Sequence, residues 1–140
     1  MRGFLIDTCV LSDATQVRPS ARVTEWLDAK STESLFLSVI SVGEIEQGIA
    51  RLGPTARARR LSAWLMEAVL PQFESRILSV DQAVALRWGQ IRGAATHVGR
   101  PLVLVDSLIA ATALEHDLSI VTRNIKDFSA LDIPLINPWL

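Results

Sequence analysis

The chain has 140 residues, 49% of them hydrophobic and 21% charged, with a formal net charge of −1. That length builds one core and leaves no room for a second full domain, and this composition excludes a largely disordered chain. Near-neutrality argues against the strongly basic surface of most nucleic-acid binders, unless acids that hold a cation offset bases that hold phosphate.

The first predicted element is a buried strand, Gly3 to Ile6, in which Phe4-Leu5-Ile6 is closed by Asp7 and Thr8. The same aspartate interrupts the opening apolar stretch, so no signal peptide is expected. Cys9 is the single cysteine and cannot pair within the chain. With no base near it in sequence, it reads as a small buried residue. Pro19 precedes a helix over 20–30, with Val23, Trp26 and Leu27 on one face. A second strand is predicted over Ser34 to Ile40, then a helix from a capping Ser41 to Arg51, with Glu44 three residues after the cap. Gly53-Pro54 ends it. Thr55 caps a helix to about Leu70, stopped by Pro71. A third strand, Arg76 to Val80, leads to a helix capped by Asp81, with Val84, Leu86 and Ile91 as core. The apolar window 101–114 is too short to span a bilayer and contains Asp106, so a cytoplasmic protein without a membrane anchor is expected. The last long helix is predicted from Asp106 to His116, followed by strands over Leu118 to Thr122 and Pro134 to Ile136. Strands separated by helices imply an α/β fold: a single domain with a central parallel sheet of four to five strands and helices on both faces. Sites in such sheets lie at the carboxyl ends of the strands.

Three carboxylates stand in apolar surroundings at such places. Asp7 ends the first strand, Glu44 opens the helix after the second, and Asp106 opens the last long helix. A buried carboxylate must be paired, hydrogen-bonded, protonated or bound to a cation. Taken singly, each has a plainer reading as a helix cap or turn residue. Taken together they form an oxygen-only donor set suited to Mg²⁺ or Mn²⁺. After the fourth strand, Thr122, Asn124 and Asp127 either complete the cluster or cap an ordinary turn, and Arg123 or Lys126 is placed to hold a phosphate. Arg51, Arg57, Arg59 and Arg60 form the densest basic stretch, open to RNA phosphates, to an acidic partner segment, or to solvent alone. His97 and His116 lack metal-ligand spacing. Few aromatics are available to stack bases, and the four tryptophans read as packing or interface residues.

The segments Phe4-Leu5-Ile6-Asp7-Thr8, Ser38-Val39-Ile40-Ser41-Val42-Gly43-Glu44-Ile45, Asp106-Ser107-Leu108-Ile109-Ala110, Ile120-Val121-Thr122-Arg123-Asn124 and Ile136-Asn137-Pro138-Trp139 together resemble a PIN domain, and more narrowly a VapC-type toxin of a toxin–antitoxin pair. The resemblance implies a Mg²⁺- or Mn²⁺-dependent ribonuclease whose first three acids match Asp7, Glu44 and Asp106. The family's fourth acidic position falls on Asn124, which lowers the negative charge and weighs against a second metal. The resemblance also implies a homodimer and an antitoxin whose helix lies in an apolar groove while a basic side chain enters the acidic site. Trp26, Leu61, Trp64 and Leu65 are candidates for that groove. In the expected mechanism Asp7 and Asp106 bind the metal. Glu44 also binds it and orients or deprotonates the attacking water. Thr8 and Ser41 are supporting donors, and Asn124 orients a ligand or water. The rival reading is a catalytically weak PIN-fold module in a nucleic-acid-binding complex. A phosphatase with an aspartate nucleophile fits less well, since a second Asp is wanted where Cys9 stands.

Overall fold

Strand β1, Gly3–Ile6, occupies the middle of the sheet because its side chains feed two cores. Phe4 and Ile6 point to one and Leu5 to the other, the alternation a strand imposes. Gly3 is required by close approach: a Cβ there would meet the Ser34 carbonyl oxygen at 2.6 Å. In the computed structural model, which describes residues 3–140, β1 pairs in parallel with β2 (Leu35–Ser38) and β4 (Leu118–Val121). Two-residue strands β3 (Ile77–Leu78) and β5 (Leu135–Ile136) close the edges, giving the order β3-β2-β1-β4-β5. All four pairings are parallel, as expected of an α/β domain with five strands.

Helices cover both faces. Against one lie α1 (Thr8–Ser12), α2 (Ala21–Asp28), α3 (Val39–Arg51) and α4 (Ala56–Trp64), which contribute Val10, Val23, Ile45, Ile49 and Ala58. Against the other lie α6 (Gln82–His97), α7 (Leu104–His116) and α8 (Ile125–Phe128), with Ile109, Ala110, Ala113 and Phe128 buried and Ile91 partly so. Each fully buried aliphatic side chain contributes roughly 1.5–3 kcal/mol.

Several boundaries differ from the sequence reading. The second strand stops at Ser38, and Val39 and Ile40 begin α3. Ser38, not Ser41, is the cap: its Oγ accepts the Ile40 N–H at 3.0 Å. Pro71 does not end the helical run after Thr55. A wide π turn over Leu65–Val69 leads into α5 (Leu70–Gln72), which contains Pro71. The Leu70 N–H reaches back to the Leu65 carbonyl, so the ladder has already changed register where the proline lacks a donor. Leu86 is 61% exposed and is not core, whereas Val84 is fully buried. No helix among the described residues is long and apolar enough to cross a membrane.

Helix α7 runs back across the sheet. Asp117, in the left-handed region at φ 54°, turns the chain from the end of α7 into β4. The start of α7 therefore lies at the carboxyl edge of the strands, beside the ends of β1 and β4.

Candidate active site

Asp7 follows β1 directly and caps α1. Its Oδ1 accepts the Thr8 N–H at 2.9 Å, and its Oδ2 accepts the Thr122 hydroxyl at 2.7 Å. Thr122 is fully buried at the end of β4, and its Oγ1 in turn accepts the Asn124 N–H at 3.0 Å. Thr8 donates its hydroxyl to Glu44 Oε1 at 2.7 Å. One threonine thus joins two carboxylates 37 positions apart in the chain, through its N–H to one and its hydroxyl to the other. Donors on a carboxylate favour its ionised form.

Glu44 lies in the second turn of α3 rather than the first, because the helix begins three residues earlier than its sequence suggests. Asp106 lies in the first turn of α7, which starts at Leu104. That turn is fixed from α6: the Trp88 indole N–H donates to Ser107 Oγ at 2.9 Å, and Ser107 donates to the Leu104 carbonyl. The tryptophan signalled only helical packing in the sequence, since its partner is nineteen residues away.

Asp106 is pushed up from 3.8 to about 6. Burial is the largest cause, followed by the charges of Asp127, Asp7 and Glu44. Four acidic side chains from separate segments therefore act on one another at this edge. The folded state keeps a proton that the unfolded chain has already released between about pH 4 and pH 6. The stability carried by Asp106 falls as pH rises through that window, and above it the repulsion is complete. Asp106→Asn is expected to raise unfolding stability at pH 7.5 in chelator by on the order of 1 kcal/mol, after discounting for solvent screening. The gain should vanish near pH 4. Thermal melts at both pH values test this, and an equal gain at both would show that charge is not the cause.

Among the described residues, no three of His, Cys, Asp and Glu stand close enough to hold an ion by themselves. The donor chemistry nevertheless fits a hard divalent cation, because every acid at the edge offers oxygen. Mg²⁺ in particular keeps several waters and needs only one or two direct carboxylates.

Other expectations are met unevenly. Ser41 is fully buried and its hydroxyl has no hydrogen-bond partner among the described residues, so none of the acids there takes a bond from it. It lies on the inner face of α3, and Ser38 has taken the capping role expected of it. Asn124 is exposed, precedes α8 and makes no side-chain cap, entering the network through its backbone. Asp127 is exposed on α8 yet is the largest of the charge influences on Asp106. Lys126 and Arg51 are exposed. Of the basic stretch, Arg57 lines a groove of about 250 Å³ that also holds Thr8, Glu44, Ile49, Leu61 and Trp64. Leu61 and Trp64 thus belong to a groove, as the amphipathic pattern suggested. Leu65 is core at 2% exposure, and Trp26 packs edge-on against Phe4 at 5.0 Å under the Lys30 ammonium. Burial raises the Cys9 thiol, whose Sγ lies 3.7 Å from Asp7 Oδ2, so it is a poor nucleophile.

The PIN-domain family model matches residues 4–134. The chain belongs to the PIN-domain family. Among curated relatives it is similar to Toxin FitB of Neisseria gonorrhoeae, 38% identical over 97% of this chain and 98% of that one. It is also similar to the VapC ribonuclease Y4jK of Sinorhizobium fredii, 32% identical over 97% of each. The crystal structure of FitAcB from Neisseria gonorrhoeae superposes with a TM-score of 0.91 at 38% identity, covering 97% of this chain and 98% of that one. The PIN-domain resemblance of the sequence and its predicted parallel sheet therefore hold along nearly the whole chain.

Proposed function

We propose that this PIN domain is an endoribonuclease acting as the toxin of a VapC-type toxin–antitoxin pair, and that its activity depends on Mg²⁺ or Mn²⁺. The observation that carries the reading is Thr8, which ties Asp7 and Glu44 together while Asp106 senses both charges. Relatives that cover the chain end to end are named as a toxin and as a ribonuclease.

Asp7, Asp106 and Glu44 are the residues that would hold the cation. When bound, it supplies charge stabilisation at the phosphate and a more acidic water. Three donors face Asp7 and fix its orientation: the Thr8 N–H, the Thr122 hydroxyl and the more distant Cys9 thiol. Glu44, kept in place by the Thr8 hydroxyl, orients the attacking water and takes its proton. Asp127 adds negative charge that Asp106 feels, and the neutral Asn124 adds none. Arg57 stands in the groove that opens on Glu44, placed to meet a phosphate or an acidic partner residue.

The antitoxin is proposed to cover that groove with a helix and to place a basic side chain among the acids. A homodimer in the cytoplasm is the proposed state of the toxin. The second reading is a PIN-fold module in a nucleic-acid-binding complex with little or no catalysis, which the neutral Asn124 favours.

The two readings separate in one assay. Purified protein is incubated with tRNA and ribosomal RNA in Mg²⁺, in EDTA, and after Mn²⁺ or Mg²⁺ is restored. Cleavage that stops in EDTA and returns with the cation is the expected result. Cleavage that persists in EDTA rejects the cation, and no cleavage with either ion rejects the nuclease.

A further inference from the structure

A cleft of about 730 Å³, separate from the groove but sharing Ser12 with it, is lined by Cys9, Ser12, Asp13, Arg18, Arg123 and Trp139, among others. Within it the Arg123 guanidinium lies 4.0 Å from the centroid of the Trp139 indole, closer than the other cation–π pairs at 5.0 to 5.6 Å. The indole is anchored. It packs against the hydrophobic core, and the backbone N–H of Trp139 donates to Asn137 Oδ1 at 3.0 Å, which fixes the main chain that carries the ring. Arg123 itself is exposed, one residue beyond the Thr122 that holds Asp7. Cys9 is the shared wall: its Sγ is 3.7 Å from both Asp7 Oδ2 and Thr122 Oγ1 while it lines the cleft. A group in this cleft therefore lies next to the carboxylates.

We propose that Arg123, held over the Trp139 ring, is a platform on which one unpaired base of the RNA substrate stacks beside the cut phosphate. The inference rests on the ribonuclease reading above and adds the residue pair that grips the strand. A guanidinium that served only as a phosphate charge would need no ring beneath it. Stacked on an indole, it loses rotational freedom and offers a planar face to solvent, and single-stranded RNA is gripped by such faces. The cleft is within the range that holds a nucleotide-sized ligand. Arg18 in the same lining supplies a cation for the adjoining phosphate. Sequence alone assigned Trp139 to packing or an interface, because nothing in the chain order shows that Arg123, just past the end of β4, lies over it.

The test is a fluorescence titration in EDTA at low ionic strength, with a single-stranded hexaribonucleotide carrying 2-aminopurine and, in parallel, a blunt RNA duplex. Binding to the wild type should quench the 2-aminopurine. Arg123→Ala should weaken binding of the single strand roughly tenfold, in line with the loss of one stacked base. Arg123→Lys should weaken it nearly as much, although it keeps the charge, and should leave duplex binding and the salt dependence unchanged. Trp139→Leu should resemble Arg123→Ala, and Trp139→Phe should retain most of the affinity, with thermal melts confirming that each variant folds. Wild-type affinity in Arg123→Lys would reduce Arg123 to a phosphate contact and overturn the platform. So would an unquenched probe. If the wild type cuts RNA in Mg²⁺ while Arg123→Ala binds normally, the platform alone fails. If the wild type neither binds nor cuts, both readings fail.

Discussion

Asp7→Asn is expected to lower RNA cleavage by more than about 100-fold while the protein still folds. The margin follows from a comparison within the site. Residues that only orient a metal-binding group typically cost 10–100-fold when removed, so removal of the group itself must cost more. Asp7 is the most heavily supported of the acids, with Thr8 and Thr122 each donating to a different oxygen. Asparagine keeps the shape and one acceptor but loses the charge that draws a cation. Thr122→Val is the graded control. It removes the 2.7 Å bond to Asp7 Oδ2 and the acceptor for the Asn124 N–H, and should reduce cleavage by roughly 10–100-fold. Single-turnover cleavage of one RNA at saturating Mg²⁺ measures both. Full activity in Asp7→Asn would remove this residue from the chemistry, and equal losses in the two variants would show that Asp7 acts only as a structural cap.

Phe128→Ala is expected to cost about 3–5 kcal/mol of unfolding free energy, the range for truncating a buried phenylalanine. In a domain of this size that is a fall in Tm of roughly 10–15 °C. Phe128 is 1% exposed and sits with Leu5, Ile109 and Ile120 on one face of the sheet. It is also the anchor of α8, a helix of four residues that has no stability of its own. Asp127 precedes it and acts on Asp106. Loss of the anchor should therefore also free Asp106 from one of its neighbouring charges, so that its titration moves back towards the ordinary carboxylate range. Urea denaturation gives the stability, and NMR of the Asp106 carboxyl gives the titration. A cost below about 1 kcal/mol would mean that α8 packs without its aromatic side chain.

The sequence reading was most successful where one signal dominated. Strand β1 begins and ends where Gly3 and Asp7 suggest, because an apolar triplet bounded by glycine and a polar pair has no helical alternative. Asp81 and Thr55 cap their helices as their positions imply, each accepting an N–H three residues on. Two signals competed at the end of β2. Val39 and Ile40 favour a strand, yet the Ser38 cap wins and turns both into the first residues of a helix. That shift moved Glu44 one turn along without removing it from the site. Leu86 failed for another reason: helix α6 carries little one-sided apolar pattern, so a leucine on it says nothing about facing inwards. What no local pattern contains is the closure between distant segments. The bond from Thr122 to Asp7, the Trp88 bond to Ser107 and the stack of Arg123 on Trp139 all depend on where the sheet brings the chain together.

The pairing of β1 with β4 governs the order in which the working molecule is assembled. Strand β1 finds one of its two neighbours only after residues 118–121 have been made. Asp7 then gains the hydroxyl that holds it, and β5 at residues 135–136 completes the edge. Contacts so remote in sequence are slow to form and arise only after β4 has been made. A chain that stops short of β4 thus carries Asp7 without the hydroxyl that holds it.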